Sequence, residues 1–392
     1  MAVRSVYLDN NATTRVAPEV VSAMIPFLED NFGNPSSAHA ESVTPETAIA
    51  EARKSVAEFL GASRESQIIF TSGGTESDNW AVLGAAKAGE GKKILMSSVE
   101  HEAVRNAAKR LENDGFEVVA IGVNSKGGLD FERLEQELDR ETVLVSIMMA
   151  NNETGVVFPI DRIGEMVKKK SNALFHVDGV NAAGKIPIEL DSGPIDLFSI
   201  SAHKFHGPKG VGALYIREGI ALSPMVVGGG QESSMRAGTE AVHQIVGLGT
   251  AARLANDLAP MEKVQAIRDR FEKSVLNEFS IASVNGAGEK RLPNTSNISF
   301  EGLNGELILH GLDRAGIRVS TGSACNANDK KVSPVLKAMD IPFERALGSV
   351  RFSFGRFNTM EDVDVVLEAL RRVIGKLSRI SGLGETSKGL SA

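Results

Sequence analysis

Cysteine is nearly absent from this chain: 392 residues hold one, Cys325. No disulfide can close within the chain, and no multi-cysteine zinc site can be built. A surplus of basic charge is missing too. The 43 Lys and Arg are outnumbered by 50 Asp and Glu, for a net charge of −7. No global basic field draws such a chain to nucleic acid or to an anionic membrane surface. No apolar run reaches the length that spans a bilayer. The opening residues, MAVRSVYLDNNATT, lack the charged region, apolar region and cleavage site of a secretory leader. We expect a cytoplasmic location, with neither nucleic acid nor membrane as partner. There is no internal repeat and no low-complexity segment.

What is present is ordinary globular material, 42% apolar and 24% charged, in a chain long enough for more than one core. After an N-terminal arm, strands and helices alternate. QIIFTS, KKILMSS, FEVVAIGV, TVLVSIMMA, ALFHVDG, DLFSIS and GALYIR read as strands. Between them ESDNWAVLGAAKAG, a stretch from about Glu100 to Asn113, FERLEQEL and a stretch from about Ile160 to Lys170 read as helices. Strands rich in Val, Ile and Leu without polar alternation are buried on both faces. Such an α/β pattern predicts a mostly parallel sheet covered by helices on both faces. Beyond about Pro260 the texture changes to a smaller α+β unit. It holds a long helix, MEKVQAIRDRFEKSVLNEF, the strand TSNISFEG, a helix over Gly305–Ala315, the strand SVRFSFG and a last helix opened by Thr359 and Asp362. We place a large unit at 15–259 and a smaller one at 1–14 with 260–392. The tail GETSKGLSA reads as frayed.

The polar, chemically capable residues fall at strand ends, where ligands bind in parallel sheets. TSGGTESDN puts Gly74 and Thr75 between a strand and a helix, where free N–H groups and the helix dipole attract an anion. It matches neither a Walker loop nor a dinucleotide fingerprint, and a plain turn is the competing reading. Asp178 ends an apolar strand, as a structural ion-pair partner or as counter-ion to a protonated ring nitrogen. His101 opens a helix, as a capping residue or flat against an aromatic cofactor. Lys204 sits in SAHKFHGPKG, as a solvated amine or a reactive one. The pair His203 and His206 lacks a third ligand, and no metal is expected. Alone, Cys325 reads as a small buried hydrophobe. Together, the cradle, carboxylate, histidine and lysine form the set a pyridoxal phosphate site requires: an amine for a Schiff base, an acid for the pyridine nitrogen, and donors for the phosphate.

At this point the sequence resembles the cysteine desulfurases, in particular those that supply sulfur for iron–sulfur clusters. The likeness runs from YLDNNATT through FGNPSSAH, FTSGGTESDN, VEHEAV, ANNETG, HVDGVNAAGKIPI, SAHKFHGPKGVGALYI, GGGQESSMRAGTE and STGSAC to VRFSFGRFNT. It implies the aspartate-aminotransferase type of pyridoxal-enzyme fold, fold type I, in a homodimer. It implies that Lys204 holds pyridoxal 5'-phosphate and removes the Cα proton of L-cysteine, and that His101 stacks on the ring. Asp178 would pair with the ring nitrogen. Gly74, Thr75, Ser201 and His203 would hold the phosphate, with Thr239 reaching that of the neighbouring subunit. Asn152 would contact cofactor or substrate, and Arg351 would clamp the substrate carboxylate. Cys325 would take the sulfur as a persulfide and pass it to an acceptor such as an iron–sulfur scaffold. Asn181 stands where the family usually has glutamine against the cofactor ring oxygen, and Gly74 where alanine is more common. NANDKKVSP after the cysteine is more charged than the family pattern. Rival readings are a selenocysteine lyase or cysteine-sulfinate desulfinase, an aminotransferase, and a weakly catalytic sulfur-transfer scaffold.

Overall fold

The computed structural model describes residues 5–322 and 332–382. Cys325 lies outside them. The described strands are β1 Val6–Tyr7, β2 Ile68–Thr71, β3 Lys93–Ser97, β4 Glu117–Ile121, β5 Thr142–Ser146, β6 Leu174–Asp178, β7 Leu197–Ser201, β8 Gly212–Ile216, β9 Ala282–Val284, β10 Thr295–Phe300, β11 Ile317–Arg318 and β12 Ser349–Ser353. Seven form the main sheet in the order β2-β8-β7-β6-β5-β3-β4. β8 is antiparallel to both neighbours, and the other pairs are parallel. The fold is therefore α/β with a mostly parallel sheet.

Alternation along each strand explains why these runs are apolar throughout. Side chains point to opposite faces in turn. Ile68, Phe70, Leu95, Val145, Phe198, Ala213 and Tyr215 enter one core. Their sequence neighbours Ile69, Ile94, Leu144, Leu197 and Leu214 enter another on the opposite face. The first core is covered by the helices Val43–Phe59, Ile160–Lys170 and Val242–Ala255. The second is covered by Gly74–Ala88, which buries Trp80, and by Glu102–Glu112.

A third core is built on the antiparallel sheet β12-β10-β9 and the helices Ala259–Glu278, Gly305–Arg314 and Met360–Ile380. Phe271 packs its ring 4.7 Å from Phe352 and 5.5 Å from Phe354. Cutting such a ring back to alanine costs about 3–5 kcal/mol. Thr359 and Asp362 close a reciprocal capping box on the last helix. Val6 and Leu8 of the arm belong to this core, and β1 pairs in parallel with β11. The arm then crosses to the main sheet, where Thr14 N–H donates to the His203 carbonyl at 2.9 Å.

Three features differ from the sequence expectation. The strand expected over TVLVSIMMA stops at Ser146, where its pairing with β3 ends. Met148 N–H donates instead to the Glu100 side chain, on Oε1, at 2.8 Å, while the N–H groups of Ile147 and Met149 still reach the β6 carbonyls of His176 and Asp178 at 3.1 and 2.9 Å. The helix expected from Glu100 starts at Glu102, which leaves Glu100 folded inward. The helices Val43–Phe59 and Val242–Ala255 had no counterpart in the sequence reading. Both are rich in Ala and carry little apolar periodicity.

Candidate active site

β2, β3, β5, β6 and β7 all end at one edge of the main sheet, and the segments that follow them wall a cavity of about 470 Å³. Gly74, Thr75, His101, Asn152, Asp178, Asn181, Ser201, His203, Lys204 and Arg351 line it. Thr239 is exposed and is not among the lining residues. Ser320, Thr321 and Gly322 line it on one side of the Cys325 segment, and Pro334 and Val335 on the other.

Lys204 follows β7 on a single helical turn. Its Nζ donates to the Asn11 carbonyl at 2.5 Å and to the Ala12 carbonyl at 3.2 Å. Burial, with the Arg351 charge behind it, brings the amine down to about 8. A fraction of the amine is then neutral at physiological pH, as a nucleophile or base requires. Asp178 closes β6 and accepts the Val180 N–H on Oδ1 at 2.9 Å. Burial raises its pKa, against the lowering influence of His101 and Lys204. His101 caps its helix: Nδ1 accepts the Ala103 N–H at 3.2 Å. The ring proton therefore sits on Nε2.

Arg351 lies on β12, with its side chain 7% exposed. One terminal nitrogen donates to the Asn152 carbonyl at 3.0 Å, the other to Asp9 Oδ1 at 2.8 Å. His203 shares a hydrogen bond with Thr13 Oγ1 at 3.2 Å. Burial lowers it to about 4, so the ring is neutral near pH 7.

An anion and a ring cation both fit this cavity. No side chain caps the first N–H groups of the helix Gly74–Ala88, so they are available to a phosphate. Beneath the cavity, Asp78 Oδ1 and Glu100 Oε2 are buried without hydrogen-bond partners among the described residues, next to Asp178. A ring cation beside Asp178 would offset the burial that raises these acids, as His101 and Lys204 already do for Asp178. Pyridoxal phosphate has both features.

The two departures at Asn181 and Gly74 have local causes. Asn181 Oδ1 accepts from Lys185 Nζ at 3.0 Å and its Nδ2 donates to the Asn151 carbonyl at 3.4 Å. Both polar ends of its side chain are thus held by the protein. At Gly74 a Cβ would come within 2.7 Å of Val180 Cγ2, so the family's alanine does not fit beside this valine.

Sequence reasoning missed Asn11, which acts through its carbonyl, and the buried acids Asp78, Glu100 and Glu153. Burial pushes Glu100 up to about 8 and Glu153 up to about 7. His176, behind Asp178, lies between Ser146 Oγ at 2.8 Å and Ser199 Oγ at 3.0 Å. Burial lowers it to about 3, so it is neutral. Among the described residues no cluster of three or more His, Cys, Asp or Glu could hold a metal ion, and no helix is long and apolar enough to cross a membrane.

The pattern of the class-V aminotransferases matches residues 6–366. A cysteine desulfurase from Nostoc sp. is 47% identical over 379 residues, covering 96% of this chain and 94% of that one. The solved structure of a NifS-like protein superposes with a TM-score of 0.90 at 39% identity, over 95% of this chain and 100% of its own. A structure of SspA in complex with cysteine gives 0.81 at 34% identity, over 91% and 100%. With one cavity at the strand ends carrying the lysine, aspartate, histidine and arginine, and with relatives this close over nearly the whole length, the chain belongs to the class-V aminotransferase family and, within it, to the cysteine desulfurases.

Proposed function

We propose that the protein takes L-cysteine to L-alanine and receives the sulfur on Cys325 as a persulfide. The carrying observation is that Lys204, Asp178, His101 and Arg351 face one cavity whose rim holds the residues flanking the Cys325 segment. Pyridoxal 5'-phosphate, when bound, supplies a conjugated ring that draws electrons from the substrate Cα and weakens the bonds around it. Gly74, Thr75, the free N–H groups behind them, Ser201 and His203 would hold its phosphate, and Lys204 its aldehyde carbon. Asp178 would keep a proton on the ring nitrogen, and His101 would stack on the ring. Asn181 and Asn152 complete the wall.

The chain's own groups then divide the work. Arg351 binds the substrate carboxylate, with Asn152 beside it. Lys204, neutral in part near pH 8, takes the Cα proton. The Cys325 thiolate attacks the substrate sulfur: an S–S bond forms, the C–S bond breaks, and its electron pair stays on carbon. Protonation of that carbon, with the Cα proton returned by Lys204, yields alanine. The persulfide is passed to a sulfur acceptor, an iron–sulfur scaffold protein in our reading. Thr239 serves the phosphate of a second copy in a homodimer. Its exposure outside this chain's own cavity supports that role, as do the exposed apolar side chains Leu28, Phe32 and Val227. The reading keeps a cytoplasmic location and the two units 15–259 and 1–14 with 260–392.

The test compares wild type with Cys325→Ala in absorbance, sulfide and alanine. Equimolar sulfide and alanine that vanish with Cys325, while cysteine still perturbs the spectrum, support the proposal. Undiminished sulfide release from Cys325→Ala would move the assignment to a lyase.

A further inference from the structure

Glu153 touches the cavity at a place the reaction leaves unexplained. It follows Asn152 in the turn after β5 and is 6% exposed. Its main chain is fixed: the N–H donates to Asn151 Oδ1 at 3.0 Å and the carbonyl accepts from Asn297 Nδ2 at 3.2 Å. Its Oε2 accepts from Ser333 Oγ at 2.5 Å. Ser333 is itself buried, and its Oγ accepts the N–H groups of Val335 at 3.1 Å and Leu336 at 3.3 Å. From the other direction, a Cβ placed on Gly322 would lie 1.9 Å from the same Oε2 and 3.2 Å from Ser333 Cβ. Two residues earlier, Ser320 exchanges both main-chain hydrogen bonds with Arg351, at 3.2 and 2.7 Å. One carboxylate oxygen therefore meets residues on both sides of the segment that holds Cys325.

We infer that Glu153 is a positioning residue: by holding Gly322 and Ser333 against one carboxylate, it fixes where the Cys325-bearing segment leaves and rejoins the cavity wall. This rests on the cysteine reading of the site. Glycine is required at 322 by space, since any side chain would displace the carboxylate from Ser333. A serine hydroxyl at 333 is required because it must donate to the acid while accepting from the turn behind it. Arg351 and Arg105 contribute favourable charge to the acid, which is otherwise buried.

A double-mutant cycle on the cofactor-loaded enzyme tests this. Gly322→Ala, Glu153→Ala, the double variant and Glu153→Gln are compared with wild type. Three quantities are read: cysteine-dependent sulfide release, the rate at which iodoacetamide alkylates the chain's single thiol, and half-saturation of the spectral change with cysteine. Gly322→Ala alone is expected to change sulfide release and alkylation by about tenfold. With Glu153→Ala already present, it is expected to change them less than about twofold, because the atom it collides with is gone. Glu153→Gln, which keeps an acceptor for Ser333, is expected within about threefold of wild type. Half-saturation with cysteine should stay within about twofold throughout. Equal factors for Gly322→Ala with and without Glu153 would overturn the inference, and so would an unchanged alkylation rate in Glu153→Ala. Sulfide release that survives Cys325→Ala defeats the cysteine reading instead, and the alkylation cycle still judges Glu153.

Discussion

Arg351 and Asp9, 342 residues apart in sequence, are joined by a hydrogen bond of 2.8 Å between guanidinium and carboxylate. The substrate carboxylate we assign to Arg351 must therefore compete with an acid of the protein itself. Arg351→Lys loses the planar fork, and we predict a KM for cysteine raised roughly 10–100-fold with a smaller change in kcat. Asp9→Asn removes the competitor, so KM is expected to fall a few-fold while thermal stability drops. Steady-state kinetics and a melting curve on each variant check both statements.

Lys204 carries a second prediction. Its amine is lowered to about 8 in the folded chain by burial, against an ordinary 10.5. Between those values the unfolded chain binds more protons than the folded one, so the cofactor-free protein gains stability as pH rises through that window. Lys204→Met is expected to remove this slope and to melt a few degrees higher at pH 7. The rate at which the cofactor-free protein takes up pyridoxal phosphate should climb with pH, pass half its limit near pH 8 and level off about one unit above. A flat rate between pH 6 and 9 would contradict it.

Glu100 behaves in the opposite sense. Burial raises it to about 8. Between 4.5 and 8 the unfolded chain has released a proton that the folded chain keeps, so stability falls as pH rises. Glu100→Gln preserves an acceptor for Ser97 and for Met148 N–H, which both use Oε1. We expect it to be more stable than wild type at pH 7 and indistinguishable from it at pH 4, by denaturant titration at the two pH values.

Asp178→Asn keeps the shape but removes the charge proposed to hold the ring proton. We predict that kcat falls by at least about 100-fold while the cofactor still binds. Retained activity would move the counter-ion role to Asp78, which is buried beside it.

What was legible in the sequence follows from what each residue contributes. Asp178, His101 and Lys204 could be picked out because a charged or reactive side chain at the end of an apolar strand is conspicuous. Asn11 could not, since it offers Lys204 a main-chain carbonyl that any residue possesses. Glu100 and Glu153 read as ordinary acids near a helix start and a turn. Only tertiary packing shows them buried. The main-sheet strands were legible from their Val, Ile and Leu runs. The end of β5 was not, because Ile147–Ala150 are as apolar as the strand, and only the fold shows the Glu100 side chain taking the Met148 N–H where β3 would continue. Helix Val43–Phe59 escaped notice because its alanines pack without marking a stripe.

The arm that carries Asp9 and Asn11 is made well before the residues it pairs with. Lys204 is 193 residues downstream of Asn11, and Arg351 is 342 downstream of Asp9. At about 5–20 residues per second, Arg351 is synthesised roughly 17–70 s after Asp9. Throughout that interval the arm has no site to close, and apolar Val6 and Leu8 wait for a core whose other members are still being made. Loop closure over so many residues is also the slow part of folding. The main sheet can therefore assemble while the catalytic cavity cannot, and activity should appear during synthesis as one late event.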